Sequence, residues 1–240
     1  MRCAILGDIH SNWEALSAVV AHAKKSNVDG FFSVGDIVGY GPDPERCMEL
    51  LQSLSYTAVA GNHDQAVAGL IDFSYYSEGA REGILWTQEN ISHAAREKLK
   101  ALPLTFQSED FCLVHASLEQ PGQWDYILDN RHALSSIRHQ KQQICFYGHT
   151  HLPVIFRDDG NTIILREGTV KLVKEHRYMI NAGSVGQPRD GNPQSCLLIY
   201  DSDTLTVEMC RVEYPFTKTQ EKILQEGLPA SLALRLSYGR

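Results

Sequence analysis

The chain lacks any long apolar run. No stretch approaches the roughly 18 apolar residues that a membrane-crossing helix needs, so no spanning segment is expected. It lacks low-complexity tracts and internal repeats, which excludes solenoid and propeller architectures. It also lacks any Cys-x-x-Cys pair. Its six cysteines, Cys3, Cys47, Cys112, Cys145, Cys196 and Cys210, stand singly, most of them inside apolar runs where cysteine acts as a small hydrophobe. A disulfide framework is therefore not expected, and a reducing compartment is. There is no basic run, and the formal net charge of -7 argues against an extended nucleic-acid-binding surface. A nucleotide held locally is compatible with that charge, because bound cations can neutralise its phosphate. A strand pattern begins by Arg2, leaving no room for an apolar export segment ahead of Asp8. The expected location is the cytoplasm.

What is present is ordinary in amount and unusual in order. The 240 residues, 43% hydrophobic, suffice for one domain with a full core. Five short apolar runs each end in a polar cluster. Cys3-Ala4-Ile5-Leu6 precedes Gly7-Asp8-Ile9-His10, and Phe31-Phe32-Ser33-Val34 precedes Gly35-Asp36. Thr57-Ala58-Val59-Ala60 precedes Gly61-Asn62-His63-Asp64. Phe111-Cys112-Leu113-Val114 precedes His115, and Ile144-Cys145-Phe146-Tyr147 precedes Gly148-His149-Thr150-His151. Such runs read as buried strands. Their ends should deliver carboxylate, amide and imidazole groups to one rim of a sheet. Residues two apart in extended backbone face the same side, so Asp8 with His10, and His149 with His151, can each aim as a pair. Nitrogen and oxygen donors without thiolate suit a pair of divalent transition ions, and a two-metal site activates water and clamps a phosphoryl group.

The first half alternates strand and helix, which predicts a largely parallel first sheet. A helix is expected over residues 12–25, with Ser11 and Glu14 at capping-box spacing. Another is expected after Asp43-Pro44, with Cys47, Leu50, Leu51 and Leu54 facing inward. Residues 65–101 read as a helical insertion, packed on the core or capping a site. Beyond Pro153 the pattern becomes strands and turns, including a hairpin around Asp159-Gly160, and predicts a second, mostly antiparallel sheet. A helical tail follows over 216–240. The predicted fold is an α/β/β/α sandwich: four layers, two mixed sheets flanked by helices, in a single domain over 1–240.

The five clusters, taken together and in this order, resemble the motifs of the calcineurin-like metallophosphoesterases, most closely the small stand-alone bacterial branch. The resemblance covers roughly residues 1–200 and rests on Asp-x-His, Gly-Asp, Gly-Asn-His-Asp, a lone His after a strand, and Gly-His-x-His. It implies the same sandwich fold and two bound metal ions. It places Asp8, His10 and His151 on one ion, Asn62, His115 and His149 on the other, and Asp36 between them. His63 would face the substrate phosphate and stabilise or protonate the leaving group, after in-line attack by a hydroxide held on the ions. Manganese suits mixed His and carboxylate ligation best, with iron, zinc or nickel as alternatives.

Further residues stand apart from that set. Asp64 is expected to order its loop. Asn181-Ala182-Gly183-Ser184 resembles the family's Asn-Pro-Gly-Ser segment, and Arg189 beyond it is a candidate phosphate contact. Serine/threonine phosphoprotein phosphatases continue the second cluster as Gly-Asp-x-Val-Asp-Arg-Gly. Here Gly39 and Tyr40 replace the Asp-Arg pair. A small phosphorylated substrate is therefore expected, such as a phosphodiester or a nucleotide, with Tyr40 available to stack on a ring. A dinucleoside polyphosphate hydrolase, a phosphoprotein phosphatase and a non-catalytic interaction module are the alternatives. Nothing in the sequence sets an oligomeric state.

Overall fold

The computed structural model describes residues 1–240. In chain order its strands and helices are β1 (Arg2–Leu6), α1 (Trp13–Lys25), β2 (Gly30–Ser33), α2 (Pro44–Gln52), β3 (Tyr56–Ala58), α3 (Asn62–Ala68), α4 (Glu78–Asn90), α5 (His93–Lys100), β4 (Thr105–Gln107), β5 (Phe111–Val114), α6 (Asn130–Ile137), β6 (Ile144–Tyr147), β7 (Val154–Arg157), β8 (Thr162–Ile164), β9 (Gly168–Lys171), β10 (Tyr178–Asn181), β11 (Ser195–Asp201), β12 (Thr206–Val212), α7 (Phe216–Gln225) and α8 (Ala230–Leu236). They form two six-stranded sheets, ordered β3-β2-β1-β11-β12-β9 and β4-β5-β6-β10-β7-β8.

The alternation within β1 shows why the chain layers as it does. Ala4 and Leu6 face α1, where they join Leu16, Val19 and Val20. Cys3 and Ile5 face the other way, into a core with Phe111, Phe146, Leu198 and Tyr200 of both sheets. A third core packs α6 on the far face of the second sheet, through Ala133, Ile137, Tyr147 and Met179. The result is the α/β/β/α sandwich. All six cysteines are buried free thiols. No helix is long and apolar enough to cross a membrane.

The division of strands differs from the expected one. β1, β2 and β3 are parallel, but β11, β12 and β9, all from the second half, complete that sheet antiparallel. The second sheet keeps a small antiparallel majority, with β4–β5, β10–β7 and β7–β8 antiparallel, but β5, β6 and β10 form a parallel centre that was not expected. The cause is burial. β11 is buried along almost its whole length and pairs with β1 at the middle of a sheet, not at an edge. The cap of α1 also differs. Asn12, not Ser11, caps it through a bond from the Ala15 N–H, at 3.1 Å. Glu14 instead accepts from Thr219 and pairs with Lys222 of α7.

The tail packs back on the core. Leu232 and Leu236 of α8 are buried with Ile223, Leu228 and Tyr40, whereas Leu234 faces solvent. Gly79 and Gly83 of α4 leave room for this contact: a Cβ on Gly79 would stand 3.3 Å from Leu232. Leu232→Ala should therefore open a cavity between α4 and α8 and cost about 2–5 kcal/mol. Urea denaturation of the pure protein is the check, and an unchanged midpoint would refute the packing role of the tail.

Candidate metal centre

Strand ends converge at one rim, but from both sheets. The segments after β1, β2 and β3 bring Asp8, His10, Asp36, Asn62 and His63; those after β5 and β6 bring His115, His149 and His151. The extended geometry expected for the i, i+2 pairs is not what aims them. Asp8, His10, Asp36, His149 and His151 all have left-handed backbone, with φ between 48° and 68°. Non-glycine residues held there cost on the order of 1–3 kcal/mol each, so the surroundings must fix them. They do so by main-chain bonds between loops: His10 N–H to the Asp36 carbonyl at 2.9 Å, Gly148 N–H to that of His115 at 3.0 Å, and Gly186 N–H to that of Asp8 at 3.0 Å. Ser184 adds a hydroxyl bond to the Asp8 carbonyl at 2.7 Å.

Two donor groups result. Asp8, His10 and His151 make one, and Asp36, His115 and His149 the other; within each, the donor atoms lie within 4.8 Å of one another. The histidines are oriented from behind. Nδ1 of His10, His115 and His151 each donates to a backbone carbonyl, those of Val38 (3.2 Å), Val34 (2.8 Å) and Gln187 (2.6 Å). A carbonyl only accepts, so in the neutral ring the proton sits on Nδ1 and Nε2 presents a bare lone pair inward. In the first group two such atoms, Nε2 of His10 and of His151, face each other at 3.1 Å. In the second, His115 Nε2 meets His149 Nδ1 and Asn62 Oδ1, each at 3.1 Å. The Asn62 amide is set by its Nδ2 donating to the Tyr76 hydroxyl at 3.0 Å. Asp36 Oδ2 lies between the groups, 3.7 Å from His10 Nε2 and 3.4 Å from His115 Nε2. Lone pairs aimed at one another in a dry site repel, and cations between them remove that cost. The donor set fits two divalent ions sharing the Asp36 carboxylate.

Electrostatics agree with that balance. Burial drives His10 and His151 well below the ordinary imidazole range and His149 down to about 3, keeping them neutral. Burial also raises Asp8, helped by Asp36. His115 goes the other way: burial lowers it, but the Asp36 charge and hydrogen bond outweigh that and push it up to about 9. Without ions, therefore, a proton on His115 stands in for the missing positive charge.

The other expected residues are also here. His63 belongs to neither group. Its N–H donates to Asp36 Oδ1 at 2.8 Å, and its ring packs 4.5 Å from Tyr40 and 4.9 Å from His10. Asp64 accepts from the N–H groups of Ile37, Val38 and Gly61, so it does order the loop. Asn181 donates to the Gly148 carbonyl and Thr150 hydroxyl, bracing the His149–His151 turn. Arg189 reaches the Tyr40 hydroxyl at 3.5 Å. His22, His93, His132, His139 and His176 lie outside the site.

Over the donors opens a cavity of about 400 Å³, bordered by Asn62, His149, Tyr40, Tyr76, Tyr126 and Arg189. Tyr75, Ser77 and Ala80 from the helical insertion also line it, while Ile84, Ala95 and Leu99 anchor the same insertion in the core. Two of the lining residues carry no sequence signal: Tyr126, stacked on His149 at 4.1 Å, and Arg235 of α8. Each lies outside every motif. A larger cavity of about 630 Å³, beside the β7–β8 hairpin, has a mostly apolar lining and touches none of the six grouped donors.

The model of the calcineurin-like phosphoesterase superfamily domain matches residues 1–204. The chain belongs to this superfamily. It is 37% identical to the uncharacterized protein MJ0912 of Methanocaldococcus jannaschii over 241 aligned positions, which span 99% of this chain and 98% of that one. A metallophosphoesterase of Sphaerobacter thermophilus superposes with a TM-score of 0.90 at 37% identity, over 100% of this chain and 99% of that one. The hypothetical protein PH1004 of Pyrococcus horikoshii shares the fold, with a TM-score of 0.78 at 19% identity over 100% and 98% of the two chains. As in other calcineurin-like phosphoesterases, divalent metal is the implied cofactor here.

A divalent ion held by the second donor group would have to displace the proton on His115. Because that pKa is raised in the ion-free site, protons compete more strongly as pH falls, and affinity should weaken from pH 8 towards pH 6. Titration calorimetry at pH 7.5 in buffers of different ionisation enthalpy should register proton release on loading. Buffer-independent heats would contradict the charge exchange at His115.

Proposed function

We propose that the protein is a dinuclear metal-dependent phosphoesterase acting on small phosphate esters, phosphodiesters or nucleotides rather than on phosphoproteins. The observation that carries this reading is the pair of buried donor groups sharing Asp36 Oδ2. Two divalent ions, manganese first among them, would supply an activated water and positive charge for the phosphoryl oxygens. Asp8, His10 and His151 would hold one ion, Asn62, His115 and His149 the other, with Asp36 bridging. A non-catalytic module has no use for a complete donor set of this cost, which argues against that alternative.

His63 is the chain's own group for the leaving oxygen. Burial pushes its pKa down to about 4, so the ring is neutral at pH 7. A neutral imidazole contributes a hydrogen bond to developing negative charge. His63→Ala should keep its metal and lose about 10²–10⁴-fold in turnover. The loss should be greater for alkyl than for aryl esters, because an aryl oxygen bears its charge more easily. Equal losses on both would remove His63 from the leaving-group side.

The argument for small substrates is steric. Gly39 has φ +89°, and a Cβ there would stand 2.5 Å from His63 Nδ1, so this loop has no room for the aspartate of phosphoprotein phosphatases. Tyr40 fills the place of their arginine and is buried against His10 and His63. A dianionic phosphoserine loses a dedicated cation in this arrangement, and a singly charged diester asks less of it. The deciding measurement is kcat/KM on small mono- and diesters against phosphopeptides, at equal metal loading. Small esters should win; a phosphopeptide preference would overturn the substrate class, and no turnover on any ester at two ions per chain would overturn the enzyme.

A further inference from the structure

Two arginines stand at the mouth of the cavity without an acidic side chain as partner. Arg189 comes from the loop after β10 and Arg235 from α8, and each guanidinium carbon lies 5.9 Å from the centre of the Tyr40 ring. Four other arginines pair with acidic side chains: Arg2 with Asp201 and Glu208, Arg46 with Asp43, Arg157 with Asp159, and Arg211 with Asp190. Neither Arg189 nor Arg235 pairs with an Asp or Glu, and no acidic residue lines the cavity that both enter. Both are half-buried there, in a protein whose net charge is -7. Burial and the nearby Arg189 both press on the Arg235 charge.

Both side chains are held rather than free. Arg189 donates through Nε and Nη2 to Gln187 Oε1, at 3.4 and 3.0 Å, and the Gln187 carbonyl is the one that orients His151. Arg235 donates through Nε to a main-chain oxygen of Arg240, the last residue of the sequence. Its two terminal nitrogens make no hydrogen bond within the protein, and neither does Arg189 Nη1. Preset guanidinium forks with unused donors match phosphoryl oxygens. The Tyr40 ring that both guanidinium groups approach also packs 4.6 Å from His10 and 4.5 Å from His63. The arginines line the same cavity as Asn62 and His149, so an anion on them and one above the donor groups can belong to the same small molecule.

Resting on the phosphoesterase reading, we propose that Arg189 and Arg235 form a second anion subsite, and that the preferred substrate carries a second phosphoryl group beside the one that is hydrolysed. Arg235 is then a specificity residue supplied by the C-terminal helix, and Arg189 serves this second group.

The subsite is testable without turnover. Inorganic phosphate is titrated into the metal-free protein, in chelator, by calorimetry. Arg235→Ala and Arg189→Ala should each weaken binding about 10-fold or more, the loss of one charge-assisted contact, and Arg235→Lys should recover part of it. Thermal melting confirms that each variant is folded. Turnover of the metal-loaded protein then compares AMP, ADP and adenosine 3′,5′-bisphosphate. The wild type should favour one of the two doubly phosphorylated compounds over AMP, and which one it favours tells adjoining from separated phosphoryl groups. In Arg235→Ala that preference should fall about 10-fold, mainly through KM. Equal phosphate binding by wild type and Arg235→Ala, or a preference for AMP, overturns the proposal. Phosphate binding lost in Arg235→Ala with no ester hydrolysed by the wild type would sink the enzymatic reading and leave the anion site standing.

Discussion

The structure is organised around a repulsion. His10 and His151 present bare Nε2 atoms to each other at 3.1 Å, with the buried carboxylates of Asp8 and Asp36 beside them. Left alone, such a group would turn outward to water. It cannot, because each ring is tied through Nδ1 to a backbone carbonyl of a different loop. The fold thus keeps donors in place that suit a cation; in the second group His115 is tied to Val34 in the same way, and there a proton answers the need.

Close backbone approach makes this possible. A Cβ on Gly186 would fall 1.8 Å from the Ile9 carbonyl oxygen, and one on Gly61 would fall 2.1 Å from Asp36 Oδ1. Neither position tolerates a side chain. The loops after β1, β3 and β10 can therefore interlock at a spacing that no other residue allows. The left-handed donor residues are a further cost of that compression, offset by the inter-loop bonds that hold them.

Much of this could be read beforehand, for a physical reason. Apolar runs ending in a polar cluster mark buried strands that stop where polar chemistry starts, so the clusters were legible as a set; the choice of seven candidate ligands within them, and the part given to His63, came from the family resemblance, and these residues stand together. Arg189 and Tyr40 were legible as residues but not as neighbours, since 149 positions separate them. Sheet membership was not legible: β11 reads the same whether it pairs with β1 or with β10, and only packing decides. Nor was Arg235, an arginine in a leucine-rich tail with no spacing to mark it. The backbone geometry of the ligand pairs misled, because i, i+2 spacing looks identical in a strand and in successive left-handed turns.

The placement of β11 beside β1 bears on how the chain reaches this state. Arg2 sits opposite Asp201, so the central pairing of the first sheet joins the two ends of the domain sequence. Loop closure of that length is entropically slow, and such topology delays folding until distant segments meet. The β2 and β3 pairings can form early, carrying Asp36 and Asn62. Asp8, however, is held by Ser184 and Gly186, which reach it only when the chain between β10 and β11 has docked. Both donor groups are therefore complete only once the last long-range pairing is made, so an assembled site is a signature of a finished fold.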